Sequence, residues 1–529
     1  MVLLVNLAHI PRPLTLIIAV VSGFLTDWAF PDRNMWALAF VGIAGLWIAT
    51  SRDAPGWNVL VGSAWGIAFF LPHVQWAQYA VGGNLPWIAL SIFEGLYIGL
   101  FAWAWSMARR SRVLARRPLG QVLAFAALWI AVEYVRMVFP FGGFPWGRLG
   151  FSQSDSPLAR LAWLGGVPLL SFTVALAGAL LAVFIRAMLR MNLVAMGASA
   201  LACSLLVVVG WLVPLDTQAQ QGNLLVGAVQ GNVSEPGLGA FANRQEVLNN
   251  HVNGTLALED SGVDVVVWPE NGTDIDPQVD AGAARLIDDA AQAVKAPLLL
   301  GAQEYPDSGG RYNVSLVWEA GQGVTDRYAK QHPVPFGEYI PYREFFRSLS
   351  PAVDMISTDM LPGNKSAVVD IPISRLERDV TLSPIICFEV GYDDLIYDAV
   401  KNGGEALVVQ TNNASFGPTN ESTQQLAMSR IRAIETGRAV VHISTVGVSA
   451  VYTPNGVERE RTGHFTAEQF TQQIALRDSL TPAVWLGVYP TWVAVGVSAI
   501  LIAAGIMNRQ VKPRGVRPSA PRASRPRKA

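Results

Sequence analysis

Cysteine is almost missing from this chain: there are two in 529 residues, Cys203 and Cys387. That scarcity excludes a disulfide framework, because Cys203 lies inside a long apolar run and Cys387 far outside it. Cys387 is therefore a lone thiol in its own part of the chain. Charge is scarce too. Only 15% of residues are charged, 51% are hydrophobic, and the mean hydropathy is +0.32. A soluble domain carries about 25% charged residues, so this balance excludes a wholly soluble protein and points to membrane spans. The net charge of −1 is uninformative, since acids and bases are unevenly placed. No His/Cys cluster at metal-ligand spacing and no glycine-rich phosphate loop occurs. No metal or other cofactor is expected, and no nucleic-acid partner.

What is present begins with apolar runs of bilayer-crossing character at 14–25, 36–50, 57–79, 87–107, 122–138, 161–185 and 193–213, the first two short. The composition then turns mixed and polar until one more run at 485–507. The expected division is a membrane domain of seven transmembrane helices over 1–214, a catalytic domain over 215–480, and an eighth transmembrane helix in 481–507. A basic, disordered cytoplasmic tail is expected over 508–529. Arg109, Arg110, Arg112, Arg116 and Arg117 follow the fourth run, and Arg186 and Arg190 flank the turn after the sixth. The tail after the eighth run is rich in Arg and Lys without an acid. By the positive-inside rule these three connections are cytoplasmic, and the polar block lies on the outer side. The first run lacks a following A-x-A site and is read as a retained span.

Glu94 and Glu133 fall within spans, where a carboxylate is costly. Arg136, one helical turn after Glu133, makes an internal Glu133–Arg136 pair the expectation. The rigid aromatic loop at 139–147 is expected on the outer side, facing the polar block.

In that block, short β-branched runs predict strands at 224–230, 263–268, 297–301, 314–318, 384–388, 406–410 and 440–444, with helices at 242–258, 281–294 and 423–437. The alternation predicts an α/β layered fold with helices outside. Three strand ends carry ionisable groups: Glu270 after Trp268-Pro269, Lys330 with Glu338 on a proline-rich loop, and Cys387 after Pro384-Ile385-Ile386. A free cysteine is by default a small buried hydrophobe, and Glu or Lys is ordinarily just solvated. Together these groups make a chemically complete set. The carboxylate takes the thiol proton. The ammonium holds the thiolate's pKa down and stabilises an oxyanion. Glu338 orients the ammonium.

Glu270, Lys330 and Cys387, in this order, resemble the Glu-Lys-Cys triad of the nitrilase superfamily, and 427–438 resembles its structural helix. Gly143-Phe144-Pro145-Trp146, Val229-Gln230-Gly231-Asn232, Trp268-Pro269-Glu270, the Lys330 to Tyr339 stretch and Cys387-Phe388-Glu389 are similar to one membrane-embedded branch, the apolipoprotein N-acyltransferases. The resemblance covers nearly the whole chain apart from the basic tail. It implies a multi-span α-helical membrane domain plus an α/β nitrilase-like αββα sandwich on the periplasmic side of a bacterial inner membrane.

The implied reaction transfers an acyl chain from a diacyl phospholipid to the α-amino group of a diacylglyceryl lipoprotein, through a Cys387 thioester. Glu270 is the implied base, Lys330 and the Phe388 N–H hold the oxyanion, Glu338 holds Lys330, and Glu389 shapes the pocket. Pro145, Trp146, Phe241, Asn412 and Phe416 are the substrate-lining candidates, and a monomer is expected. The chain departs from the family pattern at Phe388, usually tyrosine, and at Ser415, usually aromatic; Phe241 substitutes for an absent tryptophan. Two other readings compete: a membrane-tethered amidase or nitrilase-type hydrolase, and a catalytically dead lipid-binding receptor. The spans and the aromatic loop weigh against the first. The lack of an internal repeat in the spans and the complete set of triad chemistries weigh against the second.

Overall fold

The computed structural model describes residues 10–80, 83–115, 117–234 and 245–509. Phe241, Arg116, the first residues of the helix expected over 242–258 and the tail expected over 508–529, beyond its first two residues, lie outside the described residues.

Every apolar run is helical. The N-terminal region contains α1 (Arg12–Asp27), α2 (Leu38–Ala49), α3 (Pro55–His73), the one-turn α4 (Ala77–Ala80), α5 (Asn84–Ala108), α6 (Pro118–Val138), α7 (Ala162–Leu189) and α8 (Leu193–Leu212). Among the described residues five helices are long and apolar enough to cross a membrane: α5, α6, α7 with its preceding turn, α8, and the C-terminal helix at Tyr489–Asn508. The first three do not reach that mark. α1 has 16 residues and α2 has 12, while α3 buries Asn58, Ser63 and His73. Small residues let these helices approach closely. A Cβ added to Gly66 of α3 would lie 2.7 Å from the Gly95 Cα of α5.

The expected Glu133–Arg136 pair is replaced by another. Arg136 bonds Glu94 of α5 at 3.0 Å and the carbonyls of Phe144 and Trp146 at 2.9 and 2.6 Å. Glu133 instead accepts from Trp129 Nε1 at 2.8 Å and the Leu149 N–H at 2.9 Å. The loop after α6 folds back over Arg136 and offers it two carbonyls, which outweighs local spacing.

The polar block forms two six-stranded sheets. In chain order the elements are β1 (Asn223–Gln230), α9 (Glu246–Leu256), β2 (Val265–Val267), α10 (Ala281–Val294), β3 (Leu298–Glu304), β4 (Tyr312–Glu319), β5 (Gly323–Ala329) and α11 (Arg343–Leu349). Then follow β6 (Val369–Ile373), β7 (Arg378–Ile386), α12 (Asp393–Lys401), β8 (Ala406–Thr411), α13 (Glu421–Thr436), β9 (Val440–Ser444), β10 (Ala450–Tyr452), β11 (Glu458–Arg461) and β12 (Glu468–Ala475). A short α14 (Pro482–Leu486) leads into α15 (Tyr489–Arg509). The sheet orders are β12-β1-β2-β3-β4-β5 and β11-β10-β9-β8-β7-β6.

The period of two along each strand separates the layers. Val266, Trp268, Leu298 and Leu300 pack outward on Leu248, Val252, Ile287 and Ala290 of α9 and α10. Val265, Val267 and Leu299 turn inward, into one core with Ile385, Leu407 and Val409 of the other sheet. The result is the αββα sandwich, with α12 and α13 on the second sheet.

Several elements exceed the sequence expectation. β5, β6, β10, β11 and β12 and helices α11 and α12 were not foreseen. β12 reads Glu-Gln-Phe-Thr-Gln-Gln-Ile-Ala, too polar for a buried strand, and it pairs only with β1 at a sheet edge. The strand expected over 384–388 starts earlier, at Arg378, and stops at Ile386. Cys387 opens a 3-10 turn, Cys387–Gly391, with φ of +55°. A left-handed residue cannot continue a strand.

Candidate active site

Glu270 sits on the turn leaving β2, followed by Asn271 in the left-handed region at φ +51°. The turn rests on β3, where Gly301 leaves the room it needs. A Cβ there would lie 2.8 Å from the Glu270 Cα. The Glu270 Oε1 accepts from Asn313 Nδ2 at 2.6 Å and from Lys330 Nζ at 3.4 Å, while Oε2 accepts from the Asn412 N–H at 2.9 Å. Burial pushes the Glu270 carboxyl pKa up, with Lys330 opposing, so that it stands as a stronger base than an exposed glutamate.

Lys330 leaves β5 on the loop that the sequence foresaw and is 0% exposed. Its Nζ donates to Glu338 Oε1 at 2.7 Å, and Glu338 Oε2 accepts from the Val334 N–H at 2.7 Å. Burial acts to lower the lysine pKa, but Glu338, Glu270 and Cys387 outweigh it and the net direction is up. The ammonium stays charged.

Cys387 is 8% exposed and near enough to Glu270 for each to shift the other's pKa. Its Sγ accepts from Gln425 Nε2 at 3.6 Å. Lys330 lowers its pKa as expected, yet burial and the Glu270 charge dominate, and the thiol is pushed well up. The lowering by the ammonium is outweighed, and a thiol stands beside its base, the arrangement that proton transfer to Glu270 requires. Glu389 ties this turn to the lysine loop. Its Oε2 accepts from the Ile386 N–H at 2.9 Å, and its Oε1 from Tyr328 Oη at 2.8 Å and the Gln331 and His332 N–H groups at 2.6 and 3.2 Å. Burial pushes the Glu389 pKa up to about 7.

Glu270, Cys387, Phe388 and Glu338 open into one chamber of about 1090 Å³. Its walls include Leu85, Leu90 and Phe93 of α5, Phe139, Phe141 and Phe144 of the aromatic loop, and Phe336 and Phe346 of the catalytic region. Asn412, Ser415 and Phe416 line it as well. Pro145 and Trp146 stand behind the wall. Pro145 packs on Gly391, and Trp146, fully buried, stacks on Phe388 with ring centroids 5.4 Å apart and planes 9° off parallel. They support the lining instead of forming it.

Four further residues belong to this site and were not singled out from sequence. Asn313 holds Glu270, and Gln425 holds the sulfur. Glu421, 2% exposed, lines the chamber from the first turn of α13, and Asn413 Nδ2 donates to its Oε2 at 2.6 Å and to Gln425 Oε1 at 3.0 Å. Burial pushes the Glu421 pKa up to about 8. The available signal was the polar Asn313 standing directly before the apolar run 314–318. Among the described residues no group of three or more His, Cys, Asp or Glu is arranged for a metal.

Residues 22–180 match the family profile described as apolipoprotein N-acyltransferase N-terminal domain, and residues 225–478 match that of carbon-nitrogen hydrolase. The apolipoprotein N-acyltransferase of Mycolicibacterium smegmatis is 38% identical, over 94% of this chain and 86% of its own. That of Azotobacter vinelandii is 31% identical, over 94% and 95%. Among solved structures, a nitrilase-superfamily amidase from Nesterenkonia AN1 covers 53% of this chain and 99% of its own at 15% identity, with a TM-score of 0.38. Since the match to relatives above 30% identity runs through both the helical region and the sandwich, this chain belongs to the apolipoprotein N-acyltransferase family.

Proposed function

We propose that the protein moves an acyl chain from a membrane phospholipid to the free α-amino group of a diacylglyceryl-cysteine lipoprotein, through a thioester on Cys387. The observation that carries this reading is the chamber: one wall comes from a helix long and apolar enough to cross a membrane, and the opposite wall holds the thiol and its base. The leucine and phenylalanine side chains of that lining offer an acyl chain apolar contact on the way to Cys387.

In the first half-reaction Glu270 takes the Sγ proton as sulfur bonds to the ester carbonyl carbon. The buried, raised pKa of the thiol makes this transfer necessary. Lys330 and the Phe388 N–H hold the oxyanion. The carbon–oxygen bond breaks, and the glycerol oxygen leaves with the proton from Glu270 as a lysophospholipid. In the second, the lipoprotein amine attacks the thioester and gives a proton to Glu270. The carbon–sulfur bond breaks, and Sγ recovers that proton. Glu338 keeps Lys330 in place, and Glu389 keeps the lysine loop and the cysteine turn in register. Eight spans, a periplasmic catalytic domain and a cytoplasmic tail complete the reading, on the basis of the arginine-rich connections.

The test is purified protein in detergent with a diacyl phospholipid and a diacylglyceryl-cysteine peptide. One acyl chain should appear on the peptide amine, and none on a peptide whose amine is acetylated. Release of free fatty acid at a rate indifferent to the acceptor would instead make the protein a hydrolase.

A further inference from the structure

The chamber's described lining is lopsided in its ionisable side chains, although Arg136 pairs with Glu94 and Lys330 with Glu270 and Glu338. It has six acids, Glu94, Glu270, Asp274, Asp276, Glu338 and Glu421, and a single base, Arg311. Lys330, though beside the thiol, is fully buried and committed to Glu338 and Glu270. A phosphate entering this space meets one basic side chain in the described lining, Arg311.

Arg311 is built to serve there. Its backbone is pinned on both sides: its N–H donates to the Asp359 carbonyl at 3.1 Å, and its carbonyl accepts from the Leu361 N–H at 2.7 Å. Its Nη1 donates to Gln303 Oε1 at 3.1 Å, an oxygen that also accepts from Tyr305 Oη at 3.0 Å. The Nε is buried and has no partner. A guanidinium offers five donors in a fixed fork. The side chain is anchored through Nη1, and its Nη2 is left without a protein partner among the described residues.

Its position fits the reaction. Arg311 lies two residues before Asn313, which bonds the base Glu270 at 2.6 Å. Residues two apart in an extended chain face the same side, about 6.6 Å apart. Arg311, Glu270 and Cys387 line the same chamber. We infer that Arg311 binds the phosphodiester of the acyl donor, and so sets which ester carbonyl stands over Cys387. This inference rests on the acyl-enzyme reading above and names the donor-recognition residue within it. Guanidinium is suited to the task, since it meets two phosphate oxygens at once.

The test compares two donors with the same fatty acyl group: a phosphatidylethanolamine and a p-nitrophenyl ester, which has no phosphate. Thioester formation on the full-length protein is followed by intact mass spectrometry for wild type, Arg311→Gln and Arg311→Lys. Arg311→Gln should lower kcat/KM for the phospholipid by about tenfold or more, chiefly through KM, and leave the p-nitrophenyl ester unaffected. Arg311→Lys should fall between, as a point charge without the fork. Equal loss on both donors, or no loss on the phospholipid, overturns the assignment. If wild type forms no adduct with either donor, the acyl-enzyme reading itself fails, a result separate from any property of Arg311.

Discussion

Arg148, in the segment between α6 and α7, grips Asp393 with two hydrogen bonds, Nη1 to Oδ1 at 2.7 Å and Nη2 to Oδ2 at 2.9 Å. Asp393 opens α12 immediately past the cysteine turn and also accepts from Arg432 of α13 at 2.9 Å. All three side chains are buried. The helical region is thereby fastened to the element that follows the thiol. Removing one partner of a buried charge pair costs about 3–5 kcal/mol where nothing else compensates the other, and less here because Arg432 still bonds Asp393. Arg148→Ala should lower the Tm in detergent substantially, and Arg148→Lys should recover only part of it, because an ammonium cannot span both oxygens. An unchanged Tm for Arg148→Ala would refute this fastening.

Glu389 receives four donors, three of them backbone N–H groups of the two site loops. Glu389→Gln replaces one acceptor oxygen with an NH2 that faces a donor. The buried donor left unmet costs about 1–3 kcal/mol, and the loops lose their mutual register. Thioester formation should fall by about 10²-fold or more, as a displacement near 1 Å would produce. Activity within twofold of wild type would show that the clamp does not set the geometry.

Acid and alkaline limbs of the rate belong to different carboxyls. A carboxyl whose pKa is raised is neutral below that pKa and charged above it. Glu389, at about 7, loses acceptor capacity on the acid side, where the base Glu270, its pKa also raised by burial, takes up a proton as well. Glu421, at about 8, gains a negative charge on the alkaline side, beside Glu270 and Cys387 and partly offset by Lys330. That charge raises the thiol pKa further and slows acylation. In Glu421→Gln the alkaline fall should vanish while the acid limb stays near pH 7. Persistence of the alkaline fall in that variant would remove Glu421 from the chemistry.

Gly301 supports Glu270 by what it lacks. An added Cβ meets the Glu270 Cα at 2.8 Å and the Asn271 N at 2.7 Å, so Gly301→Ala must shift the turn. Activity should drop by about 10²-fold, with little loss of secondary structure by circular dichroism. Wild-type kcat/KM in Gly301→Ala would show that the turn tolerates displacement.

The apolar runs and the triad loops were legible because their causes are local. Bilayer thickness imposes run length, and Pro269, Pro333 and Gly391 punctuate the strand ends that carry Glu270, Lys330 and Cys387. What stayed hidden depends on distant partners. α13 carries Glu421, Gln424, Gln425, Arg432 and Glu435, a composition that reads as an exposed helix, yet all five are buried. Gln424 is held by Trp146 Nε1 at 2.6 Å and the His73 carbonyl at 3.1 Å, and Glu435 by the Val167 N–H at 3.0 Å. Each of these partners comes from the helical region. Arg136 misled for the same reason, since its three-residue spacing from Glu133 mattered less than a carboxylate on another helix. The direction of the Cys387 pKa turned on burial, which sequence spacing does not report.

The most direct measurement is intact mass spectrometry of the detergent-purified protein, incubated with a diacyl phospholipid and no acceptor. The expected result is a mass gain of one acyl chain, removed by hydroxylamine, missing in Cys387→Ala and discharged by adding a diacylglyceryl-cysteine peptide. A folded, reduced protein that acylates the peptide without ever carrying such an adduct would contradict the thioester mechanism.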